Sequence, residues 1–199
     1  MGSLALLKSM RKIIKLLVRN RRWLWQALRI FLIGNLLGFL LVTVLPKPEQ
    51  PVFQESEPNE LLNKSVGERI RFFYLHNLLV SLIRLFGGIL FGLWPTISLL
   101  YLGAILGGVF SLSVSHQMVG FFVLGTLPHG VFELPAAIIA AAWGLKLGEW
   151  IMQPIGKKAK FLYSTLKEGV YIFLLIAVLL LIAAIIESTI TPFLLFGSY

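Results

Sequence analysis

The chain has 199 residues, of which 57% are hydrophobic and only 14% are charged. A soluble globular domain normally carries roughly 25% charged residues, so a soluble protein of this size would have too few charges to cover its surface. Several apolar runs also reach the ~20 residues that a helix needs to cross a bilayer. The composition therefore excludes an ordinary soluble protein. It predicts an all-α integral membrane protein whose residues 1–199 form a single membrane domain.

The net charge of +9 is unevenly distributed along the chain. Residues 1–29 hold eight Lys or Arg and no acidic residue, directly before an apolar run. This pattern is typical of a juxtamembrane segment that faces anionic lipid, so the lipid bilayer rather than nucleic acid is the predicted partner of the basic segment. The sequence has no Cys, which excludes disulfides and thiolate chemistry.

Five apolar runs predict membrane spans, at residues 24–45, 72–93, 96–115, 128–148 and 169–190. Residues 116–127 are apolar as well, but about a dozen residues are too few to cross a bilayer. They end at Pro128, and proline suits the first position of a helix because its missing N–H would be unpaired there. The sequence therefore predicts a bundle of about five transmembrane helices plus a re-entrant or broken half-helix.

Charge also predicts the orientation of the spans. Thirteen Lys or Arg lie in residues 1–29 and 146–168, whereas residues 46–71 hold four beside five Glu. Basic segments stay on the cytoplasmic side, so residues 1–23 and the loop 149–168 are predicted to be cytoplasmic. Residues 46–71 are predicted as an external loop, a proline-rich linker leading into an amphipathic surface helix. The protein is thus expected in the cell membrane, multi-pass, with a cytoplasmic N-terminus and an external C-terminus.

Glycines four residues apart mark four of the predicted spans: Gly34 and Gly38, Gly88 and Gly92, Gly103 and Gly107, and Gly144 and Gly148. Such pairs allow close approach of helices in membranes. Packing within the bundle is the favoured interpretation because five spans have many internal contacts to make. A homo-oligomer remains the alternative.

Ionisable residues inside spans are costly and are functional candidates for that reason. Here they are Arg84, Glu133 and Glu187, accompanied by His76 and His129. His129 and Glu133 are four residues apart and share a helix face, just after Pro128. Pro135 removes a backbone donor from the same helix and frees the carbonyl of residue 131.

The predicted topology places His76, Glu133 and Glu187 at one level, roughly 5–8 Å below the external surface at 1.5 Å per residue. His129 lies one turn closer to the outside. We therefore hypothesise one outer-leaflet cluster of these four residues that holds a cation, a proton or a polar group of a partner. The alternative is that each Glu is satisfied locally by backbone N–H groups, and that Arg84 pairs with one of them.

Catalysis has little support in the sequence. The metalloprotease signature places two His around a Glu on one helix, and this chain lacks it. No nucleophile setting or Gly-rich loop is present either. The prediction is therefore a protein that is not an enzyme and has no cofactor, with a metal-dependent intramembrane enzyme that uses His129 and Glu133 as the weakest alternative.

Three runs carry a family resemblance: "FFYLHNLLVSLIRLFGGILFG" at residues 72–92, "LPHGVFELPAAIIAAAWGLKLG" at 127–148 and "LLIAAIIESTITP" at 180–192. They resemble the stage II sporulation protein M family of polytopic membrane proteins. One departure is visible, since Leu102-Gly103 stands where the family has Asn-Gly. The resemblance assigns no catalytic role to its motif positions, which are His76, Asn77, His129, Gly130, Glu133, Leu134, Pro135, Glu187 and Pro192.

The resemblance implies a membrane component without enzymatic activity. In spore-forming bacteria the family member holds peptidoglycan-degrading partners in a complex at the septal membrane, and similar proteins occur in prokaryotes that do not sporulate. The leading expectation is therefore a scaffold that recruits partner proteins, such as cell-wall-remodelling factors, through its external loop and bundle surface. The alternative from a different class is a small channel or transporter that uses Glu133 and Glu187.

Overall fold

The computed structural model describes residues 2–45 and 64–197 of the chain, and this part is all-α. Its six helices are α1 (Gly2–Arg19), α2 (Arg21–Val44), α3 (Val66–Phe86), α4 (Leu93–Ser115), α5 (Val119–Gly148) and α6 (Ile155–Phe196). Helices α2 to α6 are long and apolar enough to cross a membrane. The prediction of a polytopic helical bundle with about five spans is confirmed.

The predicted half-helix at residues 116–127 is wrong. Helix α5 begins at Val119 and continues through both Pro128 and Pro135 as one helix of 30 residues. A proline removes one backbone hydrogen bond, but a break in lipid would leave several backbone groups unpaired at a cost of several kcal/mol each. The continuous helix is therefore the cheaper arrangement. The turn before it contains Gln117, which has a φ of 59°.

Two predicted loops also differ from the structure. Residues 149–168 are not a loop: a 3-10 turn covers Glu149–Met152, and α6 begins at Ile155. The predicted amphipathic surface helix falls partly on residues 46–63, which lie outside the described part. Its remaining residues start α3, where Ser65 and Glu68 form a capping box. The described polar residues at these two places therefore lie in or just before the first turns of long helices, α3 and α6.

The same continuity is seen near the end of the chain. Pro192 lies inside α6, which extends to Phe196 instead of ending near residue 190. Pro192 is buried. Helix α6 is therefore 42 residues long, about 63 Å at 1.5 Å per residue. A minimal span needs only ~20 residues, so α6 has more residues than one crossing requires. The first part of α6 contacts α1.

The glycine pairs pack inside the bundle. A Cβ added at Gly38 would overlap the backbone oxygen of Ala104, and one at Gly107 would overlap that of Asn35. These two overlaps bring α2 and α4 together along the same face. A second crossing places Gly88, in the 3-10 turn after α3, against the backbone of Gly144 on α5. Backbone contact of this kind requires glycine, so the structure uses the pairs for internal packing.

Small and branched residues fill the core between the longest helices. Helix α5 buries a face of alanines that includes Ala136 and Ala140, and α6 contributes Ile172 and Ile176. Trp143 is 1% exposed and is the largest side chain in this core. The alanine face lets α5 and α6 approach closely, which fixes the relative position of the polar residues that the two helices carry.

Helices α2 to α5 make four crossings between α1 and the start of α6. The charge distribution requires an even number of spans between the two basic segments. Four spans satisfy this requirement, because residues 119–127 belong to α5 and add no span of their own. The cytoplasmic position of α1 and the external position of the C-terminus stay predictions. We call the end of the bundle formed by α1, the end of α5 and the start of α6 the basic end.

Candidate functional site

The candidate site lies between α5 and α6. Helix α5 carries His129 and Glu133 one turn apart on one face, and α6 carries Glu187 and Thr191 one turn apart on the face opposite. Antiparallel packing of the two helices over the alanine face brings these two pairs to the same level. We call His129, Glu133 and Glu187 the α5/α6 cluster.

Metal-ligating atoms of the three cluster residues all lie within 4.8 Å of one another. His129 Nε2 is 4.0 Å from a Glu133 carboxylate oxygen. The other ring nitrogen, Nδ1, is 3.4 Å from the Thr191 hydroxyl oxygen. The cluster thus combines one imidazole and two carboxylates from two helices that are far apart in sequence.

The cluster is partly shielded from solvent and lipid. The side chain of His129 is 14% exposed, and that of Glu133 is 28% exposed. One carboxylate oxygen of Glu187, Oε2, is fully buried and has no hydrogen-bond partner. A buried carboxylate oxygen without a donor is costly, so this oxygen is available to a proton or a cation.

His76 was predicted as a fourth member and lies beside the cluster. It is exposed, and its ring stacks on Phe72 with a centroid distance of 6.1 Å. It lies close enough to Glu133 for an electrostatic interaction, but it is not among the residues whose ligand atoms converge. The structure therefore brings together three of the four predicted residues.

Arg84 is buried, with 9% of its surface exposed. Its Nε donates a hydrogen bond to Ser98 Oγ on α4, at 3.2 Å. The charges of Arg84 and Glu133 also interact, which places a compensating cation near the cluster. Glu133 was one of the partners predicted for Arg84. Ser98 was missed because a single Ser in an apolar span gives no signal of its partner.

The remaining predicted residues lie on α3, α5 and α6, close in sequence to the four residues predicted for the cluster. Gly130 is buried and Pro135 is exposed on α5, while Asn77 on α3 is partly buried. Pro128 is partly buried within the first half of α5. Pro192 has no backbone N–H, so the α6 helix lacks one hydrogen-bond donor at this residue. The preceding residue is Thr191, whose hydroxyl contacts His129.

The cluster lies deeper along the helices than predicted. Glu133 is 14 residues after Val119, the start of α5, which is about 21 Å along the helix axis. Glu187 is nine residues before the end of α6, or about 14 Å. Both distances from the helix ends exceed the few residues expected from the sequence, because α5 starts before Pro128 and α6 continues past residue 190; the depth of 5–8 Å below the external surface stays a prediction. His129 and Glu133 therefore lie near the middle of α5, and Glu187 of α6 lies opposite them.

A second polar group at the basic end was not predicted from the sequence. Glu168 on α6 is 9% exposed and accepts a hydrogen bond from Lys146 Nζ at 2.6 Å. Asn20 donates to the same oxygen, Oε2, and Arg19 pairs with the other oxygen, Oε1. The group joins the junction of α1 and α2 to α5 and α6. It was missed because Glu168 was placed in a solvated loop.

Comparison with known proteins agrees with this architecture. The sequence profile described as Stage II sporulation protein M matches residues 27–192. The uncharacterized protein MJ0793 of Methanocaldococcus jannaschii is 30% identical over 168 residues, covering 83% of this chain and 91% of that protein. The uncharacterized protein MJ0706 of the same organism is 33% identical over 75 residues, 35% of each chain.

No solved structure matches the chain. The profile match includes α2 from residue 27 onwards, all of α3 to α5 and most of α6, and it contains every residue of the α5/α6 cluster. The chain therefore belongs to the stage II sporulation protein M family.

Proposed function

We propose that this protein is a membrane scaffold that holds partner proteins, such as cell-wall-remodelling factors, at the membrane. The observation that carries the proposal is the glycine packing of the bundle. Backbone lies directly against backbone at the crossing of α2 and α4 and again where Gly88 meets Gly144. Helices locked in this way resist sliding and rocking, which suits a fixed platform better than a transporter that alternates between two states.

Family membership supports the same proposal. The resemblance to stage II sporulation protein M implies a role in holding partners in a complex. Residues 46–63 add the acidic, proline-rich segment of this chain, with Glu49, Glu55, Glu57 and Glu60. We propose that this segment contacts the partners, because its Glu residues offer charged groups to a partner and the apolar spans offer few.

The test is quantitative affinity purification from native membranes after mild cross-linking. The wild-type chain is compared with a variant in which Glu55, Glu57 and Glu60 are replaced by Gln, which leaves the helices unchanged. Proteins that are enriched with the wild type and lost with the variant support scaffolding through this segment. The proposal fails if no protein is enriched over a control membrane protein in replicate preparations.

A second candidate function is cation transport, favoured by the assembled α5/α6 cluster. Carboxylates and histidines inside spans mark ion and proton pathways in many membrane proteins. Purified protein in liposomes separates the two candidates. Cation flux that is abolished by Glu187→Gln supports transport, whereas intact vesicles with no flux, together with segment-dependent partners, support the scaffold.

A further inference from the structure

We propose that His129, Glu133 and Glu187 bind a divalent transition-metal ion of the Zn²⁺ class, which joins α5 to α6 inside the bundle. The inference does not depend on the scaffold proposal. It starts from the convergence of three ligand atoms within 4.8 Å on two helices whose backbones are fixed by the alanine face.

The residue types select the class of ion. Imidazole nitrogen suits Zn, Cu, Fe and Ni, whereas Mg²⁺ and Ca²⁺ take carboxylate, carbonyl and water oxygens. Catalytic and open zinc sites use three protein ligands drawn from His and Glu, and water occupies the fourth position. One His and two Glu supply three such ligands here.

The distances between the ligand atoms are slightly longer than those around a bound zinc ion, so binding requires a small shift of the side chains. Ligands of a tetrahedral zinc ion lie about 3.4 Å apart, because each bond is about 2.1 Å long. His129 Nε2 and the nearest Glu133 oxygen are 4.0 Å apart. Since no separation within the cluster exceeds 4.8 Å, side-chain shifts that bring the ligand atoms closer by about 1.4 Å or less would close the site.

The second ring nitrogen of His129 supports metal binding through Nε2. A metal-ligating His almost always donates its other N–H to an oxygen acceptor, which fixes the ring orientation and the tautomer. His129 Nδ1 faces the Thr191 hydroxyl at 3.4 Å. Thr191 is 7% exposed, so this hydroxyl is held in place by the surrounding helices and acts as a positioning residue.

Charge gives a reason for an ion at this point. Glu133 and Glu187 are like charges close enough to repel each other, and Glu187 Oε2 is buried without a donor. Arg84 interacts with Glu133 but supplies only one positive charge, so a second carboxylate left charged in this low-dielectric interior is strongly unfavourable. A divalent cation neutralises both carboxylates and gives the orphaned oxygen a partner, while neutral His129 completes the ligand set.

The experiment measures metal content of the purified full-length protein in detergent, with any affinity tag removed. The protein is incubated with micromolar Zn²⁺, passed through a desalting column and analysed by mass spectrometry of the elements. We expect about one Zn²⁺ per chain for the wild type. His129→Gln and Glu187→Gln should each lower the bound zinc at least tenfold, and Thr191→Val should weaken binding about tenfold.

His76→Gln is the matched control, because it removes a neighbouring histidine that is not a proposed ligand. It should keep one Zn²⁺ per chain. The proposal is overturned if the wild type retains no zinc, as expected for a proton shared between the two carboxylates. It is also overturned if the cluster variants bind as much zinc as the wild type, or if His76→Gln loses zinc to the same extent.

A second measurement uses only the wild-type protein, so it does not depend on whether the variants fold. A ligand that binds only the folded state raises the thermal midpoint with its concentration, so Zn²⁺ should raise the midpoint of the wild-type protein. A chelator should reverse this rise, and Ca²⁺ or Mg²⁺ at the same concentration should not produce it. A midpoint that is unaffected by Zn²⁺ would contradict a metal joining α5 to α6.

Discussion

At the scale of single residues, Arg84 shows how the bundle accommodates a charge in a span. Its side chain is buried, Nε donates to Ser98, and its charge interacts with that of Glu133. Arg84 lies in the last turn of α3. A long side chain in a helix points back toward the start of the helix, which directs Arg84 toward the α5/α6 cluster. The charge is therefore retained inside the membrane by two different partners.

Replacement of Arg84 by Leu should lower stability. The variant removes the cation whose charge interacts with Glu133 and leaves Ser98 without its donor, and an uncompensated buried charge costs up to about 3 kcal/mol. The measurement is the thermal midpoint of the detergent-solubilised protein. Ser98→Ala is the matched control, because it removes one neutral hydrogen-bond partner and should cost about 1 kcal/mol. An Arg84→Leu protein as stable as the wild type would show that the charge has no structural importance.

The two glutamates of the cluster should behave as one unit. Residues that share a site show effects on stability that do not add. Glu133→Gln and Glu187→Gln should therefore each alter zinc binding or stability. The double variant should differ little from the stronger single variant. The measurement is a double-mutant cycle on thermal stability. Additive effects within about 0.5 kcal/mol would indicate that each Glu is satisfied separately by its own surroundings.

At the scale of helices, the crossings show which sequence signals were reliable. Glycines four residues apart predicted close packing because this spacing places both on one helix face. Two prolines were misleading: Pro128 and Pro192 were predicted to bound helices but lie inside them. A proline ends a helix readily when water can pair with the freed backbone groups, whereas lipid offers no such partner. Rules for soluble helices therefore misplaced the start of α5 and the end of α6.

The crossing of α2 and α4 should fail with a single added methyl group. Gly38→Ala would force its Cβ into the backbone oxygen of Ala104, so the helices must separate, at a cost of about 3 kcal/mol or more. Gly120→Ala is the matched control, because no atom lies within 4 Å of the added Cβ. The control should be neutral or slightly stabilising. Equal thermal midpoints for the two variants would contradict the described crossing.

The polar group around Glu168 should fasten α1 to the bundle. Glu168→Gln removes the charge that Lys146 pairs with at 2.6 Å, and both side chains are nearly buried, at 11% and 12% exposure. The loss should be about 3 kcal/mol. Glu149→Gln is the control, since its pair with Arg22 involves an exposed side chain and should be worth less than about 1 kcal/mol. The measurement is thermal unfolding of both variants in the same detergent. Similar losses of stability for Glu168→Gln and Glu149→Gln would contradict a larger contribution from the buried pair.

At the scale of the whole molecule, charge and span number together predict one orientation. Four spans separate the basic segment of α1 from the basic start of α6, so both are expected in the cytoplasm. The spans could be predicted from the sequence because an apolar stretch of ~20 residues is the length that crosses a bilayer. The α5/α6 cluster was harder to predict, since the level of each residue depends on where its helix begins and ends.

Single Cys probes test the orientation, and the native chain contributes no background because it has no Cys. A Cys at Ser56 should react with a membrane-impermeant thiol reagent in intact cells. A Cys at Ser164, which is exposed on α6, should react only after the membrane is opened. Labelling of position 164 in intact cells would reverse the topology.

The most direct test of the whole account is a cross-link between α5 and α6 at the cluster. With Cys at positions 133 and 187, a short thiol cross-linker should join the two peptides within one chain, as detected by mass spectrometry after proteolysis. The control pair places Cys at positions 120 and 187, because residue 120 is 13 residues from Glu133 on α5, about 20 Å along the axis. Efficient linkage of 133 to 187 with none from 120 is the predicted result. Linkage of 120 to 187, or no linkage of 133 to 187 when both thiols are reactive, would contradict the site and the packing on which it depends.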